Sequence, residues 1–284
     1  MIETVDALLS PTLKHLREHW WTDEFTEFLV ETLRPRPGNR ILDVGCGEGL
    51  AEVAIGRRQV SQVRLYGIDL VPAKVAEARR SCEAHNQRVG LCAGDAGHLP
   101  FRSDAFDSTF CVAVLQYVSA PAEAVAEIAR VTTRGGRIVV VEPDNAARYA
   151  YSSLPSGQRA FASAASFFNA LAAARHDVTD SSIGPKVPTL LVGCGVEVLD
   201  VRLFPISHVQ LGRPDDALWT TRLERVDALF DMSPDNDVRA LAVAYREAVE
   251  AYRREAEALG DGFVEIQHTT LFATVGQKLA GPGL

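Results

Sequence analysis

The 284-residue chain has no block of Lys and Arg, no apolar run of membrane length and no Cys-x-x-Cys pair. Each absence excludes something. Surfaces that hold nucleic-acid phosphates need clustered cations, and at a net charge of −8 no nucleic-acid partner is expected. A membrane-spanning helix needs about 18 or more apolar residues in a row, so no membrane partner is expected either. Glu3 and Asp6 stand where a secretory signal would carry basic residues ahead of an apolar stretch, so no such signal is expected. The cysteines, Cys46, Cys82, Cys92, Cys111 and Cys194, are odd in number and widely spaced. That pattern fits neither a disulfide framework nor a zinc site. The expectation is a reduced, cytoplasmic protein without a bound metal. Internal repeats are missing too, and the only compositional bias is an Ala-rich stretch near residue 160.

What is present is enough to build a core: 47% hydrophobic residues against 23% charged ones. Residues 12–34 read as a helix with Phe25, Phe28, Leu29 and Leu33 on one face, closed by Pro35 and Pro37. Short apolar runs then alternate with helical stretches. Strands are expected at 40–44, 63–70, 89–93, 106–115 and 137–142, and helices at 50–58, 72–86 and 121–132, the last closed by Gly135-Gly136. This alternation implies βαβ units and a parallel sheet covered on both faces. Residues 145–180 read as helical, with a further helix at 185–192, a strand at 196–204, helices at 214–230 and 235–259, and a last strand at 263–275. The chain is thus expected to divide into an N-terminal helical lid (1–37), a cofactor-binding core (38–144), a helical cap insertion (145–180), the end of the core (181–213), a second cap insertion (214–260) and a final strand with the C-terminus (261–284).

Gly45, Gly47 and Gly49 follow the first strand at alternate positions and lead into a helix. Glycine there lets the backbone turn sharply and approach a ligand with no Cβ in the way. Such loops usually serve a nucleotide-like ligand. Two details favour S-adenosylmethionine (SAM) over a dinucleotide. Leu50 stands where a dinucleotide fingerprint wants its third glycine. Asp43 would repel a pyrophosphate but suits the ammonium of an amino-acid tail. Asp69, at the end of the second strand, is placed to accept from ribose hydroxyls. Asp95, at the end of the third, is placed to accept from an adenine amino group.

These residues resemble the class I SAM-dependent methyltransferases, especially the subgroup of ubiquinone-type and natural-product enzymes. Leu42-Asp43-Val44-Gly45-Cys46-Gly47-Glu48-Gly49 is similar to that family's first motif, and Gly67-Ile68-Asp69-Leu70 to its ribose-binding strand end. Gly94-Asp95-Ala96, Leu99-Pro100-Phe101 and Ala105-Phe106-Asp107 are similar to its third segment, Val114-Leu115-Gln116-Tyr117-Val118 to the stretch after strand four, and Gly135 to Pro143 to strand five. The likeness spans residues 38–144, with a weaker echo at 272–278. It implies a Rossmann-like α/β fold: seven strands, mostly parallel, helices on both faces and the last strand antiparallel. It implies a site of Asp43, Gly45, Cys46, Gly47, Asp69, Leu70, Asp95 and Ala96 around SAM, with Gln116 near the sulfonium where the family often has His.

The acceptor is less legible. An organic molecule of small or medium size is expected, methylated at O, N or C, with S-adenosylhomocysteine as the second product. In that topology the ends of strands five and six and the start of strand seven face the crevice. This singles out Glu142, His208 and His268 as candidates for proton transfer. Trp20, Trp21, Tyr117, Tyr149 and Phe168 are candidates for acceptor contacts, each with core packing as its alternative. A same-fold enzyme with other chemistry and a non-catalytic SAM-binding module stay open as alternatives. A monomer or homodimer is expected.

Overall fold

The computed structural model describes residues 20–58, 62–174, 180–231, 233 and 235–279. The first expected helix is seen as α1 (Asp23–Leu33); residues 12–19 lie outside the described residues. Thr22 caps α1 by accepting from Phe25 N at 3.1 Å, which satisfies one of the first-turn amides. Phe25, Phe28, Leu29 and Leu33 are buried, as their helical spacing requires. Arg34 turns left-handed at φ 48°, and Pro35 and Pro37 prevent the helix from continuing.

Strands and helices then alternate: β1 (Arg40–Val44), α2 (Leu50–Arg57), β2 (Arg64–Asp69), α3 (Pro72–Ala84), β3 (Val89–Ala93), β4 (Phe106–Val112), a short 3-10 turn (Leu115–Tyr117), α4 (Pro121–Val131) and β5 (Thr132–Ser152). They are followed by α5 (Pro155–Ala174), α6 (Val187–Gly193), β6 (Val196–Leu211), α7 (Asp216–Asp231), α8 (Asn236–Leu259) and β7 (Val264–Lys278). The seven strands form one sheet in the order β3-β2-β1-β4-β5-β7-β6. The pairs β2–β3, β1–β2, β1–β4 and β4–β5 are parallel. β7 runs the other way: near its end Gln277 Nε2 donates to Gly135 O, at the start of β5, and Leu279 N donates to Gly195 O, just before β6. The seven-stranded, mostly parallel sheet with an antiparallel last strand is the one the family resemblance implies.

Leu42, Val44, Ile138 and Val140 pack against Val125 and Ile128 of α4 and Val187 and Leu191 of α6. Ile41, Val139 and Val141 alternate with them and are equally buried, so both faces of the sheet are covered. Each such side chain contributes about 1.5–3 kcal/mol on burial. The strand order reverses between β1 and β4, which are paired level at Val44 and Cys111. Open α/β sheets bind ligands in the crevice that this reversal leaves beyond the strand ends.

The chain divides into two compact units. One takes in the chain up to Ala146, 179–204 and from Thr270 onwards; the other takes in 147–178 and Pro205–Thr269. In the second unit α5 and α7 pack on α8. Trp219, Tyr252 and Phe263 form one core there with Ala160 and Val249, and Phe167, Leu171, Val238 and Ala242 form another.

Three boundaries depart from the sequence reading. Residues 145–152 were expected in a helical segment; they continue β5 as strand, with the ladder at its far end extended by Ser153 N donating to Val264 O at 2.9 Å. Pairing with β7 overrides the helix propensity of the alanines. Gly135-Gly136 does not close α4, which ends at Val131 with Thr132 already extended. The two glycines lie instead in a bulge, where Phe106 and Ser108 pair with Thr132 and Arg137. β6 runs on through Pro205 to Leu211. Proline is tolerated there because β6 is the edge of the sheet.

Candidate active site

The first strand ends in a loop that folds back on β2. Gly45 N and Cys46 N both donate to Ile68 O, at 2.7 and 3.0 Å. Gly45 has φ +83°, and a Cβ there would lie 2.1 Å from Val114 Cγ2, so only glycine lets the β1 loop touch the loop after β4. Gly47 differs. Its φ is +53°, yet a Cβ would meet nothing within 4 Å, so its backbone faces open space. Its N–H donates to Asp69 Oδ2 at 2.9 Å. The other oxygen, Oδ1, accepts from Val71 N at 2.9 Å. Asp69 is thereby fixed in orientation, and each oxygen keeps a second lone pair for a ligand hydroxyl. Gly94 N donates to Asp69 O at 2.9 Å, which brings the β3 end alongside. Asp95 follows, exposed, its Oδ1 accepting from Gly97 N at 2.8 Å. Ala96 is half-buried, and Leu70 is exposed beside Asp69.

Beneath this loop lie two acids short of partners. Asp43 is buried, and its Oδ1 has no hydrogen-bond partner among the described residues. Burial raises its pKa well above the usual carboxylate range, and the charges of Glu52 and Asp69 add to the rise. Glu52 of α2 is 1% exposed with neither oxygen hydrogen-bonded. Burial pushes its pKa up to about 8; its own backbone N–H pulls the other way, and the negative charge of Asp69 adds to the rise. Burial likewise pushes the Cys46 thiol far up, so Cys46 is a small apolar wall and not a nucleophile. An orphaned buried acceptor beside an open glycine backbone suits a ligand that brings a cationic or hydrogen-bond-donating group. The ammonium of an amino-acid tail at Asp43 and ribose hydroxyls at Asp69 fit this donor and acceptor set.

The loop after β4 closes the other side. Ala113 holds φ +57°, rare for a residue with a Cβ, and its N–H donates to Val141 O at 2.8 Å. Glu142 is fully buried. Its Oε1 accepts from Val114 N at 2.8 Å and Leu115 N at 2.7 Å, and its Oε2 accepts from Gln116 N at 3.4 Å. Gln116 is buried and Tyr117 half-buried on this turn. Trp20 and Trp21 are half-buried ahead of α1, and the Trp21 ring meets Phe25 edge-on at 5.3 Å.

The remaining singled-out residues belong to the second unit. Tyr149 is exposed on β5 and half-buried His268 lies on β7, their ring centroids 6.1 Å apart. Phe168 packs with Phe167 and Tyr245, with Arg225 5.2 Å over its ring. His208, placed by the sequence reading in a loop after strand six, is exposed within β6 because that strand is longer than expected. No group of three or more His, Cys, Asp or Glu among the described residues is arranged to hold a metal, and no described helix is long and apolar enough to cross a membrane. The cysteines are free thiols.

Glu52 and Ala113 escaped the sequence reading. Glu52 had a signal: it stands in Ala51-Glu52-Val53-Ala54-Ile55, where α2 must bury a face. Ala113 had none, since its backbone is set by the contact between two loops.

Residues 42–140 match the family described as "Methyltransferase domain". Methyltransferase GfsG of Streptomyces halstedii is 30% identical over 120 residues, 42% of this chain and 43% of that protein. The ubiquinone/menaquinone biosynthesis C-methyltransferase UbiE of Geotalea daltonii is 30% identical over 117 residues, 40% of this chain and 50% of that one. The chain thus spans about half the length of these curated relatives, or somewhat less. The YcgJ protein from Bacillus subtilis shares the fold, with a TM-score of 0.58 at 19% identity over 90% of this chain and 98% of that one. Sheet order, glycine loop and strand-end acids thus coincide with a segment, residues 42–140, that is similar to methyltransferase domains.

Proposed function

We propose that this protein transfers the methyl group of SAM to an organic acceptor of small or medium size at an O, N or C atom, leaving S-adenosylhomocysteine. The orphaned Oδ1 of buried Asp43, beside the open backbone of Gly47, carries this reading. A bound SAM supplies a methyl group on a sulfonium, an excellent leaving group. The chain's own residues have to hold that ligand and bring an acceptor atom in line at roughly 3 Å. In this reading Asp43, Gly45, Cys46 and Gly47 take the methionine end. Asp69 and Leu70 take the ribose, Asp95 and Ala96 flank the adenine, and Gln116 lies toward the sulfonium.

Glu142 is a positioning residue in this account. Its carboxylate is taken up by the backbone of residues 114–116, which fits holding the loop and not exchanging protons. His208 and His268 remain the candidate bases, and Trp20, Trp21, Tyr117, Tyr149 and Phe168 the candidate acceptor contacts. If proton removal by His208 limits the reaction, His208→Ala lowers turnover roughly 10²-fold; wild-type turnover in that variant removes it from the mechanism.

Release of S-adenosylhomocysteine from SAM, followed across a panel of phenols, amines and activated carbon acids, tests the activity. Acceptor-dependent release is the expected result. SAM binding without release on any acceptor would favour a same-fold enzyme of other chemistry or a binding module.

A further inference from the structure

The carboxyl group of Glu52 is not needed for any task described above, yet it lies directly behind the ligand loop. Its Oε1 is 2.6 Å from where a Cβ on Gly67 would stand, and Cys46 Cβ is 2.8 Å from that same point. The side chain therefore fills the gap between the glycine loop and β2. It is 1% exposed with neither oxygen hydrogen-bonded. The groups that face it are Asp43 from β1, Cys46 from the loop, Asp69 from β2 and Cys82 from α3. All are acidic or neutral. Of the cations of α3, Lys74 is engaged by Glu48 and Glu77, and Arg79 and Arg80 are exposed. A buried carboxylate with acids around it and no cation is costly, and the group avoids the cost by keeping its proton.

We propose that Glu52 holds a proton in the ligand-free protein and releases it to solvent when the cationic methyl donor binds, so that the site senses the charge that separates SAM from S-adenosylhomocysteine. This rests on the SAM reading above. The two ligands share adenine, ribose and amino-acid tail and differ by the methyl group and the positive charge it puts on sulfur. A positive charge in the crevice favours the ionised form of a nearby buried acid. The neutral product gives no such help. One proton leaves Glu52 and one positive charge enters, so the buried region keeps its net charge. The device favours uptake of the methyl donor and loss of the demethylated product, and its effect grows with pH as ionisation becomes easier.

The test is calorimetric titration of the intact protein with SAM and with S-adenosylhomocysteine, in two buffers of different ionisation enthalpy. Between pH 7 and 8 SAM is expected to release a substantial fraction of one proton per site, and S-adenosylhomocysteine distinctly less. The preference for SAM should rise with pH, by up to about tenfold for each pKa unit that the ligand charge moves Glu52. Glu52→Gln keeps the shape, so it should bind both ligands, lose the difference in proton release and flatten the pH dependence. Equal proton release by both ligands overturns the inference while leaving the cofactor reading standing. So does a difference that persists in Glu52→Gln, which would assign it to Asp43. Failure of the wild-type protein to bind either ligand overturns both.

Discussion

Two buried glutamates in this molecule have opposite surroundings. Glu265, in the second unit, is fully buried, and both of its oxygens are taken. Arg222 grips it with both terminal nitrogens, Tyr252 OH donates to Oε2 at 2.8 Å and Gln267 Nε2 donates to Oε1 at 2.8 Å. Burial would raise its pKa, but the Arg222 guanidinium and these donors outweigh burial and hold it below the usual range. Glu52, in the first unit, is as deeply buried and has none of these donors, so burial wins. A satisfied buried charge belongs to the architecture of its unit. An unsatisfied one, beside an open loop, marks where the chain expects something it does not contain.

The largest effect expected from this contrast is at the satisfied site. Arg222→Ala leaves Glu265 charged, buried and short of its main partner, and should cost about 3–5 kcal/mol of stability by denaturant titration. A loss below about 1 kcal/mol would mean that water reaches Glu265 and that the contrast is overstated. Next comes Glu142→Ala, which strips the amides of Val114 and Leu115 of their acceptor. About 3 kcal/mol should be lost in the same measurement, with Glu142→Gln recovering most of it because an amide oxygen can still accept.

The pH-dependent effect is the most discriminating. The pKa of Glu52 is raised from 4.5 unfolded to about 8 folded. Between those values the folded state keeps a proton that the unfolded state has lost, so the ligand-free protein loses stability as pH rises through this window. The slope is at most about 1.4 kcal/mol per pH unit. Melting temperatures of wild type and Glu52→Gln should therefore diverge from pH 5 to pH 8, with the variant gaining relative to wild type. Parallel curves would show that Glu52 is ionised throughout.

The first unit was far more legible in the sequence than the second. A short apolar run such as Ile138–Val141, bounded by turn residues, reads as a strand buried on both faces, and the glycine loop announces itself by composition. Asp43, Asp69 and Asp95 could be singled out as candidates because they lie at or next to the ends of strands. Leading into the second unit, residues 145–152 read as helix because alanine propensity is local, while the pairing that makes them strand comes from residues more than a hundred positions away. The same limit displaced His208 from its expected loop into β6. The partners of Glu142 were hidden for a related reason, since they are backbone amides of residues 114–116, which a sequence does not advertise.

In the proposed function the acids at the ends of β1 and β2 hold SAM. Calorimetric titration of SAM into wild type and Asp69→Ala, with circular dichroism showing both folded, tests it directly. Two hydrogen bonds to a charged acceptor at about 1.5 kcal/mol each predict a loss of roughly 10²-fold in affinity. Unchanged affinity in Asp69→Ala would contradict it.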